Sequence, residues 1–380
     1  MAFKEGLQFD QSLHSIIGRP TMKLAGEKDS SQEYASHALV FLLTGVSSRW
    51  KQSIAYEFTA SSYSAVEMSE KIIMIVRKAK NSGITITAVV SDMGPQNRSV
   101  WRLFGITAGK YSEIKNYIPH PCDDMKNKEL YITPDPVHTF KNICSALTDE
   151  NIFDLDNSIV AKYHLPSNSV SIEPIQKVCM LDKTDTLKLC PKLKDKMLHP
   201  THFQKMNVSL SVTLLNVTVA AAISFGIDQN LLDKKHETTA WFLRIMHKWF
   251  KYMTGRYYKY AISHHNEAEY TEATVCIESV MDIFWTMKVS KSWKPYQTGM
   301  LLCSQTALIL HKEYLEHYDF EYVLLNRLCQ DTIEKLFSLI RTRTATPGAK
   351  QFRNSLKLVS ICQMQKNAKC SNYFQSECTN

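Results

Sequence analysis

Residues 86–106 read ITAVVSDMGPQNRSVWRLFGI. A short apolar run, Ala88 to Val90, ends abruptly in Ser91-Asp92, and Gly94-Pro95 breaks the chain before the helix-like VWRLFGI. An apolar run of that length closed by turn residues reads as a buried strand. A strand, a break and a helix in that order form the basic unit of an α/β fold. Asp92 stands where the strand ends, the position at which α/β folds expose functional side chains.

Upstream, HALVFLLTGV (37–46) and WKQSIAYEFTA (50–60) read as two strands joined by Ser47-Ser48-Arg49. SAVEMSEKIIMIVRKAKNSG (64–83) has apolar residues at helical spacing and ends on a glycine. ITITAVVSD (84–92) is the next strand, and ELYITPD (129–135) a shorter one. Beyond residue 138 strand signals fade. The pattern predicts helices over 138–147, 203–226, 238–255, 270–289, 297–318 and 322–341, with one more at 348–362. No internal repeat or low-complexity tract interrupts this order. The expected architecture is an α/β core interrupted by a large all-helical insertion, with a late helix returning to the core.

Composition sets looser bounds. The chain has 380 residues, 44% hydrophobic and 22% charged, ordinary values for a globular protein. The formal charge of +8 fits a polyanion partner without establishing one. The ten cysteines are scattered without a CxxC pair. No secretory signal opens the sequence, and no apolar run is read as approaching a membrane span. The expectation is a nuclear or cytoplasmic protein that is not secreted and has no membrane partner. The sequons Asn207-Val-Ser209 and Asn216-Val-Thr218 fall in an apolar helical pattern and read as accidents.

Three carboxylates hold positions suited to chemistry. Asp92 and Asp135 each close a strand, and Glu334 lies at the edge of an amphipathic helix whose Ile333, Leu336, Phe337 and Ile340 face inward. Magnesium takes hard oxygen ligands and only one or two carboxylates per ion, leaving room for phosphate oxygens. Paired ions can activate the attacking oxygen of a phosphodiester and stabilise the leaving one. The plain alternatives are a helix N-cap for a strand-ending Asp and a solvated side chain for Glu334 beside Lys335. His199, His202 and the His264-His265 pair lack acidic or Cys partners at zinc spacing and read as structural. No Gly-rich phosphate loop occurs.

Four segments carry a resemblance. VVSDMGPQNRSVWRLFGI, PDPVHTFKNI (134–143), LHPTHFQKMNVSLSVTLLNVTVAAAI (198–223) and DTIEKLFSLIRTRTATPGAKQFRNSLK (331–357) resemble, in the same order, segments of the P-element DNA transposases and their vertebrate THAP-domain relatives. The resemblance implies an RNase H-like core with three catalytic carboxylates and a helical insertion that binds GTP. It makes Asp92 the second carboxylate and Glu334 the third, both magnesium ligands, and it puts Asp135 and Lys141 at nucleotide-binding positions. It implies DNA, in the form of transposon ends, as the partner, with a homo-oligomer or an intact transposase as further partners. The implied organisation is an RNase H-like first part over 1–135, a GTP-binding-type insertion over 136–320, returning core helices with the catalytic Glu over 321–362, and a tail over 363–380.

Two positions depart from the family pattern. MAFKEGLQFDQSLHSIIG begins at the Met of the motif that carries the first catalytic Asp, so that Asp is expected just before Met1, along with much of the first strand. Asp10 is the nearest substitute, although it matches a different Asp downstream in the family. At the end of WFLRIMHKWFKYMTGR, Lys251 stands where relatives carry an Asp able to accept from a guanine edge, and Lys donates only. GTP is therefore a cofactor that one position argues against. The expectation is a transposase-derived chain with impaired catalysis; the alternative is a non-catalytic DNA-binding or assembly protein of the same descent.

Overall fold

The computed structural model describes residues 1–367 apart from Tyr111, Lys126, Asp185, Leu187, Met206 and Lys291. The expected tail beyond residue 367 lies outside the described residues, as do Cys370 and Cys378. Along the chain come two hairpins, β1 (Gln8–Asp10) with β2 (Ser15–Ile17) and β3 (His37–Thr44) with β4 (Lys51–Thr59). Then follow α1 (Ala65–Asn81), β5 (Ala88–Ser91) and α2 (Pro95–Leu103). Strands β6 (Thr107–Gly109), β7 (Ser112–Lys115), β8 (Tyr117–Pro119) and β9 (Glu129–Pro134) lead into α3 (Pro136–Thr148). Next are β10 (Phe153–Asp154), α4 (Asn157–Lys162), β11 (Ser169–Val170), α5 (Glu173–Thr184), α6 (His202–Lys205), α7 (Val208–Leu214) and α8 (Val217–Asp228). The chain continues through α9 (Glu237–Thr254), α10 (Glu267–Thr286), β12 (Lys288–Val289), α11 (Pro295–His317), α12 (Asp331–Arg343) and α13 (Ala349–Asn367).

These elements form two compact units. The first contains residues 1–85, 94–104 and the described residues from Gln330 on. Its centre is the antiparallel β3–β4 hairpin, whose register shifts between Phe41 and Leu42. The run HALVFLL does not alternate in polarity because both of its faces are covered, as expected for a strand between two layers. Ala38, Val40 and Leu42 join a core with Phe58, Leu336 and Ile340 of α12, and Phe352 and Leu356 of α13. Leu39 and Phe41 pack with Met22, Met68 of α1 and Val100 of α2. Rings lock the first of these cores: Phe58 and Phe352 lie 6.0 Å apart, edge to face, and Phe3 and Phe58 5.4 Å apart. Residues 1–3 run antiparallel beside β3, with Phe3 N donating to Ser36 O at 2.9 Å and Ala38 N to Met1 O at 2.7 Å. That pairing and the β1–β2 hairpin were not legible as strands in the mixed pattern of the first 35 residues.

The second unit holds residues 86–93 and 105–329. Its sheet has the order β5-β9-β8, with β9 parallel to β5 and antiparallel to β8. Helix α11 runs through the interior, where Met300, Leu301, Leu302, Ala307 and Leu310 are fully buried. Two of its buried hydroxyls accept from neighbours: Trp249 Nε1 donates to Ser304 Oγ at 3.0 Å, and Asn116 Nδ2 to Thr306 Oγ1 at 2.9 Å. The insertion is mostly helical, with a small sheet in the order β11-β10-β12.

Three expected helices differ in extent. The predicted 270–289 helix stops at Thr286, because Lys288–Val289 leave it to pair with β10. The predicted 322–341 helix starts at Asp331, and Val323 instead bridges to Ile262. The predicted 203–226 helix is three helices, α6, α7 and α8. Asn207 and Asn216 cap the last two, accepting from Ser209 N at 2.9 Å and Thr218 N at 3.0 Å. The two sequons thus mark helix N-caps, Asn being among the best cap residues, and at the first Ser209 Oγ also donates to Asn207 Oδ1 at 2.9 Å. Residues 208–228 are also apolar and long enough for a membrane span, at mean hydropathy 1.9, contrary to the sequence reading. Here they are broken at Leu215-Asn216, and Leu214, Leu215, Ala220 and Ile223 are buried in the unit.

Candidate functional site

Asp92 follows directly on β5, whose residues Ala88 to Ser91 pair with Tyr131 to Pro134 of β9. The two parallel strands end level, so Asp92 and Asp135 emerge side by side at their C-terminal ends, and Asp135 N donates to Ser91 O at 2.9 Å. Asp92 is half-buried. Its neighbour Met93 is held from two helices. Thr139 Oγ1 of α3 contacts Met93 Sδ at 3.7 Å, and a Cβ on Gly299 of α11 would lie 2.5 Å from that sulfur. A side chain at residue 299 has no room while Met93 sits there, so the glycine fixes the residue next to the carboxylate.

Asp135 has a structural duty that can be read atom by atom. It caps α3, accepting from His138 N at 2.9 Å, and its Oδ2 lies 2.6 Å from His138 Nδ1. Pro136 occupies the first helical position, where no amide hydrogen is needed. The Asp-Pro-x-His motif therefore starts a helix, and it does so almost out of solvent, with Asp135 1% exposed. Its charge is felt nearby: burial first, and the Asp135 carboxylate after it, push the Cys303 and Cys329 thiols up. Lys141 lies further along α3 and is only 9% exposed. In the same unit Asn326 Oδ1 is buried with no hydrogen-bond partner among the described residues.

Glu334 sits in the first turn of α12 with its side chain exposed, while Leu336 and Ile340 on the opposite face are 3% and 1% exposed. The amphipathic phase read from the sequence is the one the helix adopts. A carboxylate in a helix's first turn is favoured by the unpaired amide hydrogens there. Asp92 belongs to the second unit and Glu334 to the first.

Asp10 is committed elsewhere. It accepts from Ser12 N at 2.9 Å and Ser12 Oγ at 2.7 Å, and it pairs with Arg353 of α13. These contacts, Ser12 foremost and Arg353 next, hold its carboxyl down to about 2. Lys251 Nζ donates to Tyr260 OH at 3.2 Å and lies 5.4 Å from the centre of that ring. The His264 ring lies 4.7 Å from that of Tyr270, tilted against it, and the side chain of His202 lies outside the described residues. Among the described residues no three His, Cys, Asp or Glu side chains gather as a metal site.

Sequence reasoning passed over Gly299, Met93 and Asn326. A glycine inside a predicted helix was the one available signal for the first, since it costs helix stability and needs a packing reason.

Comparison with known proteins agrees with this architecture. A family model described as TNP-like, RNase H N-terminal domain matches residues 1–105, and one described as TNP-like, GTP-binding insertion domain matches residues 138–265. The transposable element P transposase of Drosophila melanogaster is 24% identical over 364 residues, covering 90% of this chain and 44% of that protein. The human DNA transposase THAP9 is 22% identical over 368 residues, covering 92% of this chain and 38% of that protein. The chain thus spans less than half the length of these relatives. Its fold matches the solved Drosophila P element transposase strand transfer complex at a TM-score of 0.77 and 20% identity, over 95% of this chain and 75% of that one. With matches to a TNP-like RNase H N-terminal domain and a TNP-like GTP-binding insertion domain, the chain is homologous to the Drosophila P-element transposase and to human THAP9.

Proposed function

We propose that this chain is the core of a DNA transposase in which Asp92 and Glu334 bind magnesium at a scissile DNA phosphate. The observation that carries the reading is the level ending of the β5–β9 parallel pair, which presents Asp92 at the C-terminal strand ends where α/β folds act. The donor chemistry fits: carboxylates are the hard oxygen ligands that magnesium takes, one or two per ion. When bound, the metal would polarise the phosphodiester and favour an attacking hydroxyl. The chain's own contribution is positioning. Met93 anchors Asp92 against α3 and α11, and the buried face of α12 holds Glu334 on a rigid helix.

In this reading residues 1–135 and 321–362 build the RNase H-like core around an insertion over 136–320, and the protein works in the nucleus on transposon ends, as a homo-oligomer or beside an intact transposase. Asp135 and Lys141 would hold GTP, with the Lys141 ammonium paired to its phosphates. Lys251 cannot accept from guanine, so purine selectivity is expected to be weak: a labelled GTP and a labelled ATP should bind alike, and Lys141→Ala should abolish both.

The test is manganese binding, read by electron paramagnetic resonance, beside strand transfer of pre-cleaved end DNA with magnesium. Asp92→Asn and Glu334→Gln should each weaken manganese binding and stop transfer. Unchanged binding in both variants would sink the metal reading. A second reading, DNA binding or assembly without chemistry, is favoured by Asp10, the nearest spare carboxylate, being tied to Arg353. Metal binding without strand transfer is the result it expects.

A further inference from the structure

The charge of this protein is concentrated. Residues 335–367 contain seven Lys and Arg (Lys335, Arg341, Arg343, Lys350, Arg353, Lys357, Lys366) and no Asp or Glu, against a net charge of +8 for all 380 residues. A solvated helix pair ordinarily mixes both signs, which supports it by ion pairs. This stretch supplies no carboxylate of its own, the two of α12, Asp331 and Glu334, lying just before it. Arg353 is taken by Asp10, and Lys350 Nζ donates to Phe9 O at 3.1 Å. Arg341, Arg343 and Lys357 are exposed, with no carboxylate partner among the described residues.

Helix phase places these cations. Ser338, Arg341 and Thr342 are exposed on α12 and continue, turn by turn, the exposed side that begins at Glu334. Arg341 stands seven residues beyond Glu334, about two turns and about 10 Å along the axis. Arg343 and the exposed Thr346 extend the surface into the loop before α13. That loop is held: Lys4 N donates to Pro347 O at 3.0 Å, Lys350 N to Gln8 Oε1 at 3.0 Å, and Gly348 N to Gln351 Oε1 at 3.0 Å. The amides at the start of α13 are thus partly spent on side-chain amides, so an anion here would be met by the guanidinium and hydroxyl groups. Two basic residues in the last turn would favour the helix dipole in any protein. The dipole does not account for 33 residues without one carboxylate.

We propose that the exposed side of α12 and its loop to Gly348 is a docking face for the phosphate backbone of duplex DNA, with Arg341 and Arg343 as the phosphate contacts. Arginine forks pair with phosphate in two parallel hydrogen bonds, and interspersed Ser and Thr hydroxyls are common backbone donors. The large aromatic anchors typical of a protein–protein hot spot are absent from the exposed residues of this stretch. The proposal rests on the transposase reading for its partner, but the cationic face does not depend on any metal site.

The experiment therefore excludes metal. Full-length chain is titrated into a fluorescent mixed-sequence DNA duplex in EDTA at several salt concentrations, and log affinity is plotted against log salt. Each phosphate contact contributes a slope of about −0.9. The Arg341→Ala/Arg343→Ala variant should flatten the slope by about 1.8, and Arg341→Lys/Arg343→Lys should largely keep it. Lys234→Ala/Lys235→Ala, an equal loss of charge at exposed positions of the second unit, should leave it unchanged. Circular dichroism checks that each variant is folded. Equal flattening by both alanine pairs would mean that only overall charge matters, and no DNA binding by the unmodified chain in EDTA would also overturn the proposal. The salt slope is read in EDTA and manganese binding is read without DNA, so failure of this face and failure of the metal reading are told apart.

Discussion

Both the metal reading and the DNA face depend on the phase of α12, and that phase has a measurable energetic consequence. Ile340 is 1% exposed in a core with Val40, Phe58 and Phe352, whereas its neighbour Leu339 is 52% exposed. Ile340→Ala removes three buried carbons, at about 0.8 kcal/mol each, or about 2.4 kcal/mol of transfer free energy. The cavity adds on the order of 1 kcal/mol, because closely packed neighbours relax only in part. A loss of about 3.5 kcal/mol is a large fraction of the 5–15 kcal/mol (roughly) that holds a domain folded. At about 3 °C per kcal/mol, the melting temperature of the first unit should fall by about 10 °C. Leu339→Ala removes a side chain that packs little, and Ala is at least as good a helix former, so the change should stay within about 0.5 kcal/mol. Urea unfolding of the full chain, followed by far-ultraviolet circular dichroism and by tryptophan fluorescence, compares the two. If Leu339→Ala costs as much as Ile340→Ala, α12 docks by another face, and the exposure of Glu334 and Arg341 falls with it.

Three other perturbations have defined outcomes. Asp10 is held down to about 2 in the folded protein, from an ordinary 3.8. Its stabilising effect is therefore complete above about pH 4 and is lost as pH falls through about 2. Asp10→Asn should lower the urea midpoint at pH 7, and the gap from the unmodified chain should close between pH 4 and pH 2; a gap constant with pH would refute the ion pair. Asn216→Ala should cost about 1 kcal/mol through the lost cap of α8, while Thr218→Ala, which equally destroys the sequon, should cost little. Gly299→Ala would gain about 1 kcal/mol of helix propensity in an open helix, but its Cβ would lie 2.5 Å from Met93 Sδ. Net destabilisation of about 1 kcal/mol is expected, relieved by adding Met93→Ala; a stabilised single variant would show that Met93 is free to move.

The sequence by itself determined most of the local structure. The hairpin of 37–60, the helix after it, the strand ending at Asp92 and the inward face of α12 were all legible, because apolar spacing and chain-breaking residues are local properties. The matched motifs extended that reading to the family and to an RNase H-like core with a helical insertion. Other features needed the third dimension. Apolar spacing continued through Leu215-Asn216, and only the folded chain shows Asn216 leaving the helical run to cap the next. The unbroken apolar run of β3 could not reveal that alternate side chains belong to two different cores. Residues 1–3 carry no strand signal of their own and become extended by pairing with β3. Asp10 looked like a spare carboxylate until Arg353, 343 residues away, was seen to hold it. Sequence encodes which face of an element is apolar and where the element must stop. Which surface that face meets, and which polar group is left to act, is decided when distant segments compete for the same hydrogen bonds and the same volume.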